Sequence, residues 1–240
     1  MKISKSKKLG IVPIVFIICI LLASCSNTTS TDLVKFGIRG NVKSFTEQNY
    51  EPIIEAGKWA KGELVAYGNH TTFFDVDGNY TERQGFDTEG KPSEKIIVKR
   101  AHGKLVEEII YDANKAILGK IVIHTDTGKK LVYSTHDKDG TETLKGTMWY
   151  ENGQLQKQDF EFFDRKETED KVVTVFKYDK KGNMSHQIQL DTKGDTTSVQ
   201  KFEYVEFDNH ENWTKRMEYP FKDSDAPDRI VIRTYEYYEN

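Results

Sequence analysis

The chain has 240 residues with 35 basic and 38 acidic side chains, a formal net charge of −3, and this balance excludes the basic footprint that binding to phosphate backbones requires. Aromatic residues make up 12% of so polar a chain, which excludes intrinsic disorder. Its only cysteines are Cys19 and Cys25, too few for a disulfide framework or a thiolate metal site, and its length suits one large domain or two small ones.

The first element is a leader. Lys2, Lys5, Lys7 and Lys8 precede an apolar run from Ile11 to Leu22, and Ala23, Ser24 and Cys25 follow. That is the plan of a secretory signal. The apolar run is interrupted by Pro13 and falls short of the roughly 20 residues a spanning helix needs. The tetrad Leu22-Ala23-Ser24-Cys25 resembles the lipobox of bacterial lipoproteins. The resemblance implies removal of residues 1–24 and acylation of Cys25, with Ser26 pointing to the outer membrane of a Gram-negative envelope. Two or more acyl chains at about 0.8 kcal/mol per buried methylene hold a protein on a membrane stably. Loss of the leader removes four lysines and no acid, so the mature chain carries a net charge near −7.

Residues 25–32 then read as the lipidated cysteine and a Ser/Asn/Thr tether. The stretch Thr31 to Gly37 is the best helical candidate, for a turn or two, and residues 33–240 read as a single domain. Through that domain recurs a bulky residue, an acid, polar residues and then Gly. Full copies include Phe74-Asp75-Val76-Asp77-Gly78, Phe86-Asp87-Thr88-Glu89-Gly90, His136-Asp137-Lys138-Asp139-Gly140, Tyr178-Asp179-Lys180-Lys181-Gly182 and Leu190-Asp191-Thr192-Lys193-Gly194. Shorter copies are Thr125-Asp126-Thr127-Gly128 and Tyr150-Glu151-Asn152-Gly153; copies lacking Gly begin at Tyr111-Asp112, Phe163-Asp164 and Phe207-Asp208. Ala101-His102-Gly103-Lys104 is a further turn without the acid.

An Asp that opens a type I turn accepts bonds from amides further along, and Gly at the fourth place closes a hairpin through a bulge. Between the turns lie segments rich in β-branched and aromatic residues, such as Glu107 to Tyr111, Val172 to Tyr178 and Ile230 to Tyr238. Period-two alternation, as in Lys201 to Phe207, gives each strand one buried and one wet face. The pattern predicts an all-β fold, an extended antiparallel meander of repeated hairpins forming an open twisted sheet, with little helix.

Tyr178-Asp179-Lys180-Lys181-Gly182-Asn183-Met184 resembles the YD-type repeats of Rhs-like proteins, and Met148-Trp149-Tyr150-Glu151-Asn152-Gly153-Gln154-Leu155 resembles MORN-like repeats. With the leader, Gly40-Asn41-Val42-Lys43-Ser44-Phe45-Thr46-Glu47 and Phe207-Asp208-Asn209-His210-Glu211-Asn212-Trp213, the chain is similar to uncharacterised Gram-negative lipoproteins that carry such repeats. The resemblance implies a hairpin meander with no known catalytic activity. His210-Glu211-Asn212 departs from the usual Gly-Asn before the tryptophan.

No metal, cofactor or catalytic residue is assigned. Asp75-x-Asp77-x-Asn79 and Asp137-x-Asp139 have the spacing of calcium loops, but Gly falls at the fourth place where an EF-hand needs it at the sixth, and hairpin turns account for the acids. The six histidines, His70, His102, His124, His136, His186 and His210, show no chelating spacing along a strand or helix. Nucleophile elbows, phosphate loops and dinucleotide fingerprints are absent. The aromatic residues read mainly as core for the buried face, with Trp59 and Trp213 the candidates for a partner-binding surface because polar residues flank both. The expectation is an envelope protein held to the membrane through lipid on Cys25, offering a β surface to a protein or glycan partner. The alternatives are a carbohydrate-active hydrolase using carboxylates and a toxin-neutralising protein.

Overall fold

The computed structural model describes residues 31–163, 171–221 and 224–239. Among these residues the one helix is the single turn α1 (Asp32–Lys35), at the place the sequence suggests. Fifteen strands follow: β1 (Val42–Glu55), β2 (Lys58–Leu64), β3 (His70–Phe74), β4 (Tyr80–Phe86), β5 (Pro92–Ala101), β6 (Lys104–Asp112), β7 (Ile117–Asp126), β8 (Lys130–Asp137), β9 (Glu142–Glu151), β10 (Gln154–Phe162), β11 (Lys171–Tyr178), β12 (Met184–Leu190), β13 (Thr196–Phe207), β14 (Trp213–Tyr219) and β15 (Arg229–Tyr237). Each pairs antiparallel with its neighbour in the chain from β3 to β15.

The aspartate turns form as their chemistry dictates. At Asp75, Asp87, Asp112, Asp137, Asp179, Asp191 and Asp208, one carboxylate oxygen accepts the amides two and four residues on, at 2.8–3.0 Å. Lys115 and Glu211 take the left-handed place that Gly fills elsewhere, at φ 67° and 63°, so the departure at His210-Glu211-Asn212 leaves the turn intact. The copy at Tyr150-Glu151-Asn152-Gly153 belongs to another class. Asn152 and Gly153, like His102 and Gly103, both have positive φ, the two-residue turn whose twist matches that of its strands, and Glu151 is the last residue of β9. Asp164, from the copy at Phe163, lies outside the described residues.

The expectation of an open sheet is corrected. β15 returns to β1 and pairs from Val42↔Tyr237 to Tyr50↔Ile230, closing β1 and β3 to β15 into a fourteen-stranded barrel. Closure satisfies the two edges that a meander of this size would otherwise leave bare. β1 is long enough to serve two partners on its other side. Ser44 to Glu47 pair with β3, while Tyr50 to Glu55 run past the rim and pair with β2, which stands outside the ring. The buried Asn49 and Asn69 hold this fork: the Asn49 amide donates to Asn69 Oδ1 at 2.8 Å, and Asn69 Nδ2 donates to the Val65 carbonyl at 2.6 Å.

Two apolar clusters fill much of the interior. Leu105, Ile121, Leu131, Tyr133, Leu144, Met148 and Phe160, from β6 to β10, make one. The other forms where α1 enters one end of the barrel, with Leu33 and Ile38 packed on Val42, Phe45, Phe74 and Tyr80. Asp32 is pinned there by the Tyr80 amide at 3.0 Å and by the Arg100 guanidinium. In the first cluster the ring of Tyr133 lies over its cross-strand partner Gly146, and Gln158 Nε2 donates to its hydroxyl at 2.9 Å. A Cβ on residue 146 would sit 2.3 Å from that ring. Gly146→Ala is therefore expected to lower stability by about 1–3 kcal/mol through overpacking, read as a lowered urea midpoint; an unchanged midpoint would contradict the packing described.

Candidate functional site

Beside these clusters lies a cavity of about 560 Å³, lined by residues from α1, from β1, β3, β4 and β5, from β9 to β15, and from the loop at 66–69. Its wall is unusually charged for a protein interior. Glu47 on β1 faces Arg233 on β15 across the seam, and the guanidinium donates to Glu47 Oε2 from Nη2 at 2.6 Å and from Nε at 3.2 Å. On β14, Arg216 Nη2 donates to Glu218 Oε1 at 2.5 Å, while Gln200 Nε2 donates to Glu218 Oε2 at 3.1 Å. Between the two arginines stands Trp213, 7% exposed, with Arg233 3.9 Å and Arg216 4.6 Å from the ring centre. Tyr204 meets the same ring edge-on at 5.6 Å. This is a cation–π stack of two guanidiniums on one indole, each guanidinium also neutralised by a carboxylate.

Burial and pairing set the protonation of these groups. Burial by itself would raise the Glu47 carboxyl, but Arg233 and Arg216 outweigh it and hold the group down at about 2. His70, half-buried on β3 opposite Glu47, is depressed to about 3 by burial and by Arg83, so it is neutral. Glu108 on β6 behaves oppositely. Burial pushes its carboxyl up to about 8, with Arg83 opposing only in part, so it is protonated at neutral pH. It is 3% exposed and is not on the cavity wall.

Of the aromatic residues singled out from sequence, Trp213 lines the cavity together with Tyr150 and Tyr204. Trp59 is half-buried on β2, outside the ring, so the structure does not bring the two tryptophans into one site. Trp149 faces outward under the ammonium of Lys157 at 4.8 Å. Cys25 and the leader lie outside the described residues.

Among the described residues no cluster of three or more His, Cys, Asp or Glu could hold a metal. In the calcium-like turns, the first Asp oxygen is already taken by amides. Sequence spacing did miss one juxtaposition. His124, in a bulge of β7, and His136 on β8 both place Nε2 2.8 Å from Ser134 Oγ. His136 Nδ1 also lies 3.1 Å from the Gly140 carbonyl, which selects the tautomer that accepts the Ser134 proton. Ser134 is fully buried, so this is a structural tie between strands.

The outer wall carries ion pairs strand after strand: Lys95–Glu82 and Lys99–Glu107 at 2.9 Å, Lys120–Glu107 at 3.6 Å and Lys171–Asp159 at 3.2 Å. A lipid-facing wall has an apolar band about 25 Å tall and penalises each lysine at mid-depth by roughly 2–4 kcal/mol. The pairs put charge at places on the outer wall where such a band would carry apolar side chains. Among the described residues no helix is long and apolar enough to cross a membrane.

No family model and no curated protein matches the chain. Among solved structures it is similar to a porin-like protein from Bacteroides uniformis, at 11% identity and a TM-score of 0.34, over 75% of this chain and 56% of the other. The chain thus spans little more than half the length of that protein, and a likeness this distant carries no argument about function.

The Glu108 carboxyl yields a signed prediction. Its folded value of about 8 lies above the ordinary 4.5, so from pH 4.5 to 8 the unfolded chain has lost a proton that the native state keeps, and stability falls as pH rises through that window. Glu108→Gln is expected to remove a decline of up to about 1.4 kcal/mol per pH unit. Urea midpoints measured from pH 5 to 8 should diverge, with the variant the more stable at pH 8; parallel profiles would refute the assignment.

Proposed function

We propose that this is a lipid-anchored envelope protein that binds a small ligand inside its barrel and performs no chemistry on it. The observation that carries the reading is the cavity, whose volume lies in the range of small-molecule sites and whose wall combines aromatic faces with a few fixed charges. Such a wall suits a glycan fragment, with rings to stack on sugar faces and carboxylates and guanidiniums to meet hydroxyls. A partner surface on a flat sheet, the arrangement expected from an open meander, gives way to recognition inside a closed one.

The tether supports an orientation. Thr31 follows Cys25 by six residues, which span at most roughly 20 Å when extended. α1 comes next and enters one end of the barrel, so lipid on Cys25 would hold that end toward the membrane. The opposite rim, with the loop at 66–69, would then face away and admit the ligand.

The carbohydrate-active alternative gains a concave site but lacks the paired carboxyls. A glycosidase requires one carboxyl that holds a proton beside one that is ionised, with both at the substrate. Of the three glutamates on the cavity wall, Glu47 and Glu218 are each clasped by arginine, which leaves Glu94 as a single free carboxyl, and the protonated Glu108 is away from the wall.

Two measurements test the reading. Cys25→Ala should abolish metabolic labelling with palmitate and release the protein from the membrane fraction; unchanged labelling would sink the anchor. Native mass spectrometry of protein purified from envelope extract should show a bound small molecule that Trp213→Ala loses, to be identified by glycan-array binding. Ligand-free protein from every extract, with no glycan captured, would remove the lumen reading.

A further inference from the structure

Arg83 is the one arginine on the cavity wall whose charge the fold leaves unanswered. It stands on β4 with its side chain on the inward face, beside its cross-strand partner Ile96, and is 6% exposed. Nε and Nη2 are buried and donate to nothing, and the guanidinium makes no hydrogen bond or ion pair among the described residues. The acids nearby are committed elsewhere. Glu47 belongs to Arg233, Glu218 to Arg216, and Asp32 to Arg100 and the Tyr80 amide. Glu108 is neutral, and one of its own oxygens is also without a partner. Glu94, half-buried on the same wall, makes no ion pair with Arg83 within 4 Å.

A buried cation without a counter-charge costs several kcal/mol, and Arg cannot escape by losing its proton. The remaining solution is a counter-charge that arrives with a ligand. We propose that Arg83 is the recognition point for the acidic group of a lumen ligand, a small organic acid whose single carboxylate is held fork to fork by the guanidinium while its body lies against Phe45, Tyr204 and Trp213. One unpaired guanidinium neutralises one negative charge. A phosphate monoester, with nearly two, would leave a surplus in a cavity that already holds the carboxylates of Glu47 and Glu218, so a carboxylate is the better match. The inference rests on the reading of the lumen as a ligand site and adds the class of ligand it takes.

The test uses the full chain in detergent, at fixed ionic strength, with benzoate, benzamide and inorganic phosphate as probes. Benzoate is expected to raise the thermal midpoint saturably, benzamide to leave it unchanged and phosphate to act more weakly than benzoate. Arg83→Gln should weaken benzoate binding at least tenfold. That variant removes an unpaired buried charge, and circular dichroism verifies that it folds. On the unmodified protein, one arginine Nε–H resonance should move on benzoate addition, an observation that needs no variant. A benzamide response equal to that of benzoate, a stronger phosphate response, an unaltered benzoate response in Arg83→Gln, or static arginine resonances would each overturn the proposal. Benzoate bound at Arg83 in a protein that carries no ligand from the envelope would preserve this site and remove the broader reading. A retained ligand without an acidic group would do the reverse.

Discussion

The seam between β1 and β15 is the contact on which the rest of the molecule depends. Strands separated by nearly the whole chain meet there, and Phe45, Glu47 and Asn49 come face to face with Tyr235, Arg233 and Val231. Without it the other pairings would still form a sheet, but that sheet would have two bare edges and no interior. The seam is also where chemistry enters the core. Its ion pair is buried, and a buried pair is weak evidence for stability because desolvation offsets much of the Coulombic gain. What the pair does secure is a cavity lined by oriented charges on one side of an otherwise apolar filling.

That division of the interior has a physical logic. From β6 to β10 large apolar residues pack into one cluster, with Tyr133 folded onto Gly146, and only the ends of β9 and β10, at Tyr150 and Leu155, reach the cavity. Near the seam, polar groups replace them and a space remains open. Each polar group there either has its partner, as in the pairs of Arg216 and Arg233, or stands out because it has none, as with Arg83. The outer wall uses the same residue types differently: its lysines and glutamates pair across strands on the exposed face, where each pair contributes little to stability.

Local chemistry was readable from the sequence because it acts over four or five residues. An Asp that accepts two amides, a left-handed fourth residue and a strand of alternating character need no knowledge of the rest of the chain. The turns at Asp75 and Asp179, the period-two strands and the helical turn near Asp32 follow from these rules. Even Glu211, unusual in its place, closes its turn because the Asp208 carboxylate supplies the bonds that fix it.

Closure, and everything that depends on closure, was decided only by the tertiary structure. Alternation distinguishes two faces of a strand without saying which becomes concave, so Arg216, Glu218 and Arg233 look in sequence like the solvated charges of the outer wall. Trp213 was marked as surface for the same reason, and the fold buries it between two of those arginines. The pairing of His124 with His136 through Ser134 depends on a bulge that shifts the register, which strand spacing alone does not reveal. By itself the sequence determined an all-β chain of hairpins, whose turns and strands answer to neighbours a few residues away. The lumen, its charges and the unanswered Arg83 exist because residues almost two hundred positions apart meet at one seam.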